Sequence, residues 1–145
     1  MGGEMRVLDA MSEDVEFVSP DASVQDAAVL MGEIDVGGLP VGTREQPLGV
    51  VTTRDLVYRV CAAGLDPAST PVRQVMSRVV FACSTQDDLS AAMDMMAAHH
   101  VRRLIVSDVD GRMVGWITLS DIARRLLIDS PVVREGLDEL NRATA

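Results

Sequence analysis

Cysteine and aromatic residues are scarce in this sequence of 145 residues, which contains two Cys, one Trp, one Tyr and two Phe. The core must therefore consist mainly of Val, Leu, Ile, Met and Ala, and the apolar content of 48% is enough for one domain. Uninterrupted apolar runs are far shorter than the roughly 18 residues that span a bilayer. The chain also lacks a signal-peptide pattern, so we expect a cytoplasmic protein.

The two cysteines and two histidines do not form a pattern typical of a redox or metal site. Cys61 and Cys83 have neither CxxC spacing nor a secretory context, which favours free thiols over a disulfide. His99 and His100 are adjacent, so on a helix their side chains point about 100° apart and cannot readily share one ion. No other residue has metal-ligand spacing, and we expect no metal.

The net charge of −9 limits the classes of partner. A field of this sign repels nucleic acid and anionic membranes, and no basic stripe is interleaved with aromatic residues. We therefore expect neither a nucleic-acid nor a membrane partner. A phosphate-bearing ligand would have to be held by local groups, namely helix N-termini and a few arginines.

The chain contains an internal duplication. The segments "LGVVTTRDLVYRV" (48–60) and "VGWITLSDIARRL" (114–126) both contain Gly-x-x-Thr-x-x-Asp. The two copies of this motif are Gly49, Thr52 and Asp55, and Gly115, Thr118 and Asp121. Upstream, identical residues recur at an offset of 65 positions from Val7 and Val72 onward, and one added residue then makes the offset 66. Matches at nearly constant spacing over a whole unit indicate two tandem repeats.

Each repeat has the pattern of a strand, a helix, two strands and a closing helix. Segments 14–18 and 78–82 are rich in Val and Phe and predict the first strand. Helical spacing then predicts an amphipathic helix in each repeat, with inward-facing Val24, Ala27, Ala28 and Met31, and Leu89, Ala92, Met93 and Met96. Asp110-Gly111 indicates a hairpin turn between the next two strands. The closing helices are expected to bury Leu56, Val57 and Val60, and Ile122, Ala123, Leu126 and Leu127.

We predict an α/β fold of the α+β kind, in which two tandem β-α-β-β-α repeats pack sheet to sheet about a pseudo-twofold axis. The helix between the first two strands of a repeat makes those strands parallel through a right-handed crossover. One repeat alone would expose much apolar surface, so two copies should pack and form two equivalent clefts near the ends of the hairpin strands. The expected boundaries are 5–66 for the first repeat, 70–130 for the second and 131–145 for a helical tail.

Three features occur in a fixed order along residues 5–130: the opening "VLDAMSEDVEFVSPDASVQDAA", the strands "VGGLPV" and "VRRLIV", and the doubled motif. In this order they resemble a tandem CBS-domain pair, or Bateman module, of the stand-alone bacterial type. The resemblance implies a non-catalytic regulatory protein that forms homodimers. It also implies binding of an adenosine nucleotide (AMP, ADP, ATP or a related adenosyl ligand) in the clefts between the repeats, with no cofactor required.

The doubled Thr-x-x-Asp motif has two interpretations. A Thr followed three residues later by Asp at the start of a helix is a capping box, and such a cap stabilises the helix by about 1 kcal/mol. The same helix terminus presents unpaired N–H groups that suit phosphate, and a carboxylate there can accept hydrogen bonds from ribose hydroxyls. The glycine three residues before Thr leaves room for the close approach of a backbone or a ligand.

The resemblance implies ligand contacts for the second interpretation. In such relatives the Thr and the residue before Asp contact phosphate or ribose, and Asp holds the ribose hydroxyls. By position these residues are Thr52, Arg54 and Asp55 in the first repeat, and Thr118, Ser120 and Asp121 in the second. Thr53 stands where many relatives have Asp. The adenine slot is expected among apolar residues that could equally be plain core: Val15, Val80, Pro40, Val41, Ile105 and Val106.

The repeats differ where Arg102-Arg103 of the second aligns with Gly37-Gly38 of the first. Basic residues at this position reach phosphates in nucleotide-binding relatives, although solvated arginines beside an acidic surface explain them equally well. If these arginines bind phosphate, the two clefts are unequal. We then expect the cleft that contains Asp121 to bind a charged nucleotide more tightly than the cleft that contains Asp55.

Two functions remain open at this point. One is a homodimeric sensor that binds an adenosine nucleotide and controls an unidentified regulated protein. The alternative is a ligand-free protein-interaction module that acts through its dimer surface, with capping as the whole role of the motif. An enzyme is disfavoured, because the sequence has no nucleophile–base pair, metal cluster or P-loop. A homodimer is expected to cover the helix faces that bear Val24, Met31, Leu89 and Met96.

Overall fold

The computed structural model describes residues 5–78, 80–127 and 131–144. The first repeat comprises α1 (Val7–Ala10), α2 (Val24–Ile34), β1 (Gly38–Gly42), β2 (Pro47–Thr52), α3 (Thr53–Leu56) and a π-helical turn (Val57–Cys61). The second repeat comprises α4 (Val72–Val75), β3 (Ala82–Ser84), α5 (Leu89–His99), β4 (Arg103–Ser107), β5 (Met113–Thr118) and α6 (Leu119–Leu127). The tail forms α7 (Pro131–Thr144). The end of the predicted second repeat, 128–130, lies outside the described residues.

The strands form two small sheets. β1 and β2 form an antiparallel hairpin, and the other sheet has the order β3-β4-β5. β3 is parallel to β4, as expected for strands joined through α5, whereas β4 and β5 are antiparallel. Between the repeats lies an apolar interface cluster with members from both: Val15, Phe17, Val50, Val80, Ile105, Met113 and Trp116. The predicted α+β fold of two packed repeats is confirmed.

The first strand of the first repeat departs from the prediction. Of the segment 14–18, Val18 alone pairs with a strand: its N–H donates to the Pro40 carbonyl (3.0 Å), and its own carbonyl accepts from the Gly42 N–H (3.0 Å). A longer parallel ladder would need an N–H group at Pro40, which proline does not have. The ladder therefore stops after one residue.

The second repeat forms the strand that the first repeat lacks. Ile105 occupies the position equivalent to Pro40, and its N–H donates to the Phe81 carbonyl (3.0 Å). The strand begins later than predicted, since β3 spans Ala82–Ser84 rather than 78–82. Residue 79 of the predicted strand lies outside the described residues.

Helices α2 and α5 begin and end at equivalent positions. The Ser23 hydroxyl caps α2 by accepting the Asp26 N–H (3.0 Å). Both helices end at a left-handed residue, Asp35 (φ 56°) in α2 and His100 (φ 54°) in α5. Their buried faces are narrower than predicted, because Ala28 and Met93 are exposed. The remaining predicted positions are buried within the chain: Val24, Ala27, Met31, Leu89, Ala92 and Met96.

This burial corrects the predicted dimer surface. Val24 and Met31 belong to the core of the first repeat, and Leu89 and Met96 belong to the core of the second. Side chains already covered by their own chain cannot contribute apolar area to a contact with another copy. The helix faces expected to form a dimer are therefore internal.

The closing helix of the first repeat is distorted. Val60 is buried and Leu56 packs against the core, but Val57 is half exposed, contrary to prediction. The Val57 carbonyl accepts the N–H of Ala62, five residues later. This wider π-helical turn changes which residues share a face, so the 3.6-residue period no longer applies.

Helix α6 buries less than its sequence pattern predicts. Ile122, in the first half of the helix, is fully buried, and it is the one buried side chain among the described residues of α6. Three further residues predicted to face inward are exposed: Ala123, Leu126 and Leu127. The second half of α6 therefore lies beyond the core.

The short leading helix of each repeat packs into the core of the other repeat. Val7 of α1 is buried in the core of the second repeat, whereas Val72 and Val75 of α4 are buried in the first. Equivalent backbone hydrogen bonds hold this exchange: the Val7 N–H donates to the Asp87 carbonyl (2.8 Å), and the Val72 N–H to the Ala22 carbonyl (2.8 Å). Each core is thus completed by the other repeat.

A reciprocal backbone bridge follows each leading helix. Ser12 and Trp116 exchange two N–H···O hydrogen bonds, with N···O distances of 2.9 and 3.0 Å. Ser77 and Val50 make the equivalent pair at 2.8 and 2.9 Å. Each hairpin is therefore paired with the segment that leads into the opposite repeat.

The glycines of the doubled motif make this approach feasible. A Cβ atom on Gly49 would lie 2.3 Å from the carbonyl oxygen of Ser77. On Gly115 it would lie 2.5 Å from the carbonyl oxygen of Ser12. Neither distance is sterically allowed, so both glycines admit backbone from the opposite repeat rather than a ligand.

We expect Gly49→Ala to lower the free energy of unfolding by about 1–3 kcal/mol, the usual effect of overpacking. The added methyl group would push the Ser77 backbone away and break the bridge between the repeats. Gly32→Ala is the matched control, because a Cβ on Gly32, inside α2, meets nothing within 4 Å. That variant should be stabilised by about 0.5–1 kcal/mol. Chemical denaturation measures both, and equal stability of the two variants would contradict the bridge.

The two thiols should differ in reactivity. Both cysteines are free, Cys61 exposed and Cys83 buried. Burial, with Asp87 nearby, raises the pKa of the Cys83 thiol from about 9 to about 11. Alkylation at pH 8 should therefore modify Cys61 in the folded protein and Cys83 only after denaturation, as peptide mass spectrometry can show. Equal modification of both thiols in the folded protein would contradict this difference in reactivity.

The raised pKa of Cys83 also affects stability. Because the pKa in the folded protein is the higher one, the stability that neutral Cys83 contributes is complete below about pH 9 and is lost as the pH rises towards 11.

Candidate functional site

Both copies of the Thr-x-x-Asp motif form capping boxes. In the first, the Thr52 N–H donates to Asp55 Oδ2 (2.9 Å) and the Asp55 N–H donates to Thr52 Oγ1 (3.2 Å). In the second, the corresponding distances between Thr118 and Asp121 are 2.9 and 3.1 Å. The two caps are nearly identical in geometry, so any functional difference between the motifs must come from their surroundings.

Each motif lines a separate cleft between the repeats, and each cleft has a volume of about 450 Å³. The first cleft combines the motif of the first repeat with strand residues of the second, and it is lined by Gly37, Val50, Thr52, Thr53, Arg54, Asp55, Ser77, Val80, Phe81, His100, Val101, Arg102, Arg103, Leu104, Ile105 and Trp116. The second cleft combines the motif of the second repeat with residues 35–38 of the first. It is lined by Ser12, Asp35, Val36, Gly37, Gly38, Arg102, Arg103, Trp116, Thr118, Leu119, Ser120 and Asp121.

The two clefts differ in charge and polarity. Asp55 is the one carboxylate among the described lining residues of the first cleft, which also contains three arginines: Arg54, Arg102 and Arg103. In the second cleft, Asp35 and Asp121 offset the same Arg102 and Arg103. The first cleft also has the larger apolar wall, so it is the one suited to a ligand with both an apolar and an anionic part.

Arg103 lies between the two clefts and lines both. Its Nη1 is 3.3 Å from the Gly37 carbonyl oxygen, across the boundary between the repeats, and its guanidinium carbon is 5.8 Å from the centre of the Trp116 ring. Burial lowers the pKa of Arg103, and the nearby charge of Asp55 opposes that shift. Even so, an arginine remains charged at neutral pH.

The sequence predicts Arg103 in the cleft of Asp121, and Arg103 does line that cleft, but it also lines the first cleft, which contains Asp55. Its side chain extends across the boundary to the Gly37 carbonyl of the first repeat. Gly38 allows this path, because a Cβ atom there would lie 2.0 Å from Arg103 Nη1. The glycine pair of one repeat thus provides the space that the arginine of the other occupies.

The structure brings most of the predicted ligand residues into the clefts. Seven line the first cleft: Thr52, Arg54, Asp55, Val80, Arg102, Arg103 and Ile105. Five line the second: Arg102, Arg103, Thr118, Ser120 and Asp121. Their roles in ligand binding stay predictions.

Four of the predicted adenine-slot residues lie elsewhere: Val15, Pro40, Val41 and Val106. Val41 and Val106 are completely buried in the helix-covered cores, because alternate residues of a strand face opposite sides of the sheet. Val15 packs in the interface cluster. Pro40 is buried in β1, outside the described lining of both clefts.

Some lining residues were not predicted from the sequence, notably Val50, Ser77, Phe81 and Trp116. A signal for two of them exists, since Val50 and Trp116 are equivalent positions that directly follow the motif glycines. Phe81 has no such sequence signal, and its ring stacks on the His99 ring with 3.9 Å between the ring centres.

No three His, Cys, Asp or Glu side chains of the described residues are grouped so as to share a metal ion. Among those residues, no helix has the length and apolar character to span a membrane.

Comparison with known proteins identifies the architecture. The family model of the CBS domain matches the chain twice, at residues 7–61 and 72–128. The CBS domain-containing protein YhcV of Bacillus subtilis is 38% identical over 117 residues, which are 81% of this chain and 82% of that protein. An uncharacterized conserved protein from Pyrococcus horikoshii is similar in structure, with a TM-score of 0.75, 31% identity and coverage of 86% of this chain and 94% of that one. A hexameric CBS-CP12 protein from bloom-forming cyanobacteria has a TM-score of 0.76, 27% identity and coverage of 99% and 88%.

Proposed function

The chain belongs to the CBS domain family, and we propose on this premise that it is a non-catalytic regulatory module that binds an adenosine nucleotide between its repeats, in the cytoplasm. The composition of the first cleft is the observation that carries the proposal. An apolar wall, a carboxylate and three arginines line one cavity of suitable volume. Binding sites for small molecules commonly combine a mainly apolar wall with a few polar groups that fix orientation.

Base and ribose are assigned to different lining residues of the first cleft. Val50, Val80 and Ile105 offer an apolar surface for the base. Asp55 offers acceptors for the ribose hydroxyls, although its Oδ2 already accepts from the Thr52 N–H and hydroxyl. An ionised carboxylate has about four lone-pair sites, so capping and ribose binding are compatible.

The phosphates are assigned to the arginines. The net charge of −9 disfavours an anion in general, so a phosphate depends on cations that line the cleft. Arg103 is half-buried there, whereas Arg102 and Arg54 are more exposed. A guanidinium presents five N–H donors in a planar arrangement that matches phosphate oxygens, and partial burial reduces screening by salt.

The proposal places the main site in the first cleft, the reverse of the assignment made from the sequence. Two carboxylates of the second cleft, Asp35 and Asp121, would repel a phosphate that approaches Arg103 from that side. A ligand in the first cleft touches both repeats, so its binding would favour one packing of the repeats over another. Such a shift in population is the physical basis proposed for regulation.

Isothermal titration calorimetry with adenosine, AMP, ADP and ATP tests the proposal, with the matching guanosine compounds as controls. Binding of at least one adenosine compound, tighter than that of its guanosine counterpart, is the expected result. Absence of binding by every compound at millimolar concentration would reject the nucleotide assignment.

Asp55→Ala should weaken the binding of adenosine by about tenfold or more, because hydrogen bonds to a charged group contribute about 1.5–3 kcal/mol. Asp121→Ala is the matched control, since its cap has the same geometry but lines the second cleft. Both variants should lose about 1 kcal/mol of folding stability with the cap. Calorimetry and denaturation separate the two effects, and equal affinities of the two variants for adenosine would show that Asp55 serves as a cap alone.

The protein is also proposed to form a homodimer. Helices α1 and α5 both contact α6, and all three carry exposed apolar side chains. We call these side chains the helical apolar surface: Leu8 of α1, Met93 of α5, and Leu126 and Leu127 of α6. Exposed apolar side chains on neighbouring helices are typical of an interaction site. The hexameric CBS-CP12 protein is a relative with this fold that self-associates. A ligand-free interaction module, the second candidate function, would use the same surface.

Replacing Leu126 and Leu127 together with Glu should convert the dimer to a monomer, because a C2 contact places each charge in the interface twice. Val109→Glu is the control, since Val109 is 98% exposed in the turn between β4 and β5. Sedimentation at micromolar concentration should show a dimer for the control and the parent protein. A monomeric parent protein, or a double variant that stays dimeric, would refute this surface.

A further inference from the structure

Arg103 breaks the pseudo-twofold symmetry of the clefts. Arg103 begins β4, and the equivalent residue at the start of β1 is Gly38. The arginine therefore has no counterpart in the first repeat, and its guanidinium occupies the space over Gly37 and Gly38. Among the described lining residues, Arg103 is thus the one half-buried cation that the two cavities share.

The guanidinium has donors to spare. Within the part of the chain that the structure describes, the Arg103 side chain makes one hydrogen bond, from Nη1 to the Gly37 carbonyl oxygen (3.3 Å). Its contact with Trp116 is with the face of a ring that also lines both clefts. An arginine has five N–H groups, so the others are available to an anion on either side.

We propose that Arg103 makes the two clefts mutually exclusive for anionic ligands, so that one chain holds one phosphorylated ligand at a time, in the first cleft. This inference rests on the proposed function and adds its stoichiometry. An anion bound to Arg103 in one cleft consumes the shared donors and leaves the other cleft with a nearby negative charge. Arg102 also lines both clefts, but it is exposed, and water and salt screen its charge.

This competition weakens anion binding most in the second cleft. When Arg103 binds an anion in the first cleft, the negative charges of Asp35 and Asp121 exceed the positive charge of the exposed Arg102 in the lining of the second. A second phosphorylated ligand is therefore expected to bind more weakly than the first by at least about tenfold, whereas an uncharged nucleoside is not subject to this repulsion.

Calorimetric titration of the parent protein with ADP, adenosine and inorganic pyrophosphate tests the proposal. One ADP and one pyrophosphate per chain are expected, and pyrophosphate should compete with ADP. Two equivalent ADP sites per chain, or ADP and pyrophosphate bound together without competition, would overturn the proposal and leave nucleotide binding itself intact.

Two variants test the role of the arginine by different means. Arg103→Gln removes the charge and should weaken ADP by about tenfold or more while adenosine changes by less than about threefold. Gly38→Ala keeps every charge, but its methyl group would occupy the place of Nη1 and displace a flexible side chain, so it should reduce the preference for ADP over adenosine as well. Arg112→Gln is the control, because Arg112 pairs with Glu45 at the surface (3.2 Å) and its loss changes the net charge equally.

The outcomes separate this inference from the proposed function. If neither ADP nor adenosine binds, the nucleotide assignment fails, and pyrophosphate alone decides the inference: one site per chain that Arg103→Gln removes supports it, and any other result overturns it. If ADP binds but both variants keep the full preference of the control for ADP over adenosine, Arg103 is not the shared cation. Thermal unfolding of each variant establishes that the folded protein is being titrated.

Discussion

The two reciprocal backbone bridges between the repeats are the constraint on which this structure depends. Ser12 pairs with Trp116 and Ser77 with Val50, so the hairpin of each repeat is joined to the segment that leads into the other. The leading helices α1 and α4 continue the exchange by filling the opposite core. Because neither core is complete without the other repeat, the free energy of burial is shared, and the duplicated chain should fold as one cooperative unit.

The clefts owe their composition to the same exchange. Each is lined by the motif of one repeat and by strand residues of the other, so a ligand in either cleft contacts both repeats. The motif residues do not have to be assigned to structure or to binding alone. Their backbone and one carboxylate oxygen cap a helix, and both aspartates also line a cleft. Stability and binding are thus combined in the same few atoms, which is why matched variants of the two caps are needed to separate them.

Two substitutions between the repeats make a symmetric framework asymmetric. Proline at position 40 removes one N–H group and with it the first strand of the first repeat, whereas Ile105 at the equivalent position supports β3. Gly38 leaves space that Arg103 of the other repeat occupies. The first change alters a sheet edge, and the second places one cation between two cavities. A duplicated fold can therefore present two unlike sites while its backbone stays nearly symmetric.

The sequence by itself determined the duplication, the two amphipathic helices, the hairpins and the capping boxes, because these depend on residues close together in the chain. The exposure of Val57, Leu126 and Leu127 could not be predicted, since it depends on a π-helical turn and on where the core ends. The purpose of Gly49 and Gly115 was open between a ligand and a backbone, and only the packed repeats show that the backbone of the opposite repeat approaches them. The direction of the Arg103 side chain was likewise decided by tertiary structure. A side chain follows the space and charge around it, and here both are supplied by residues of the other repeat that are distant in sequence, Gly37 and Gly38 for the space and Asp55 for the charge.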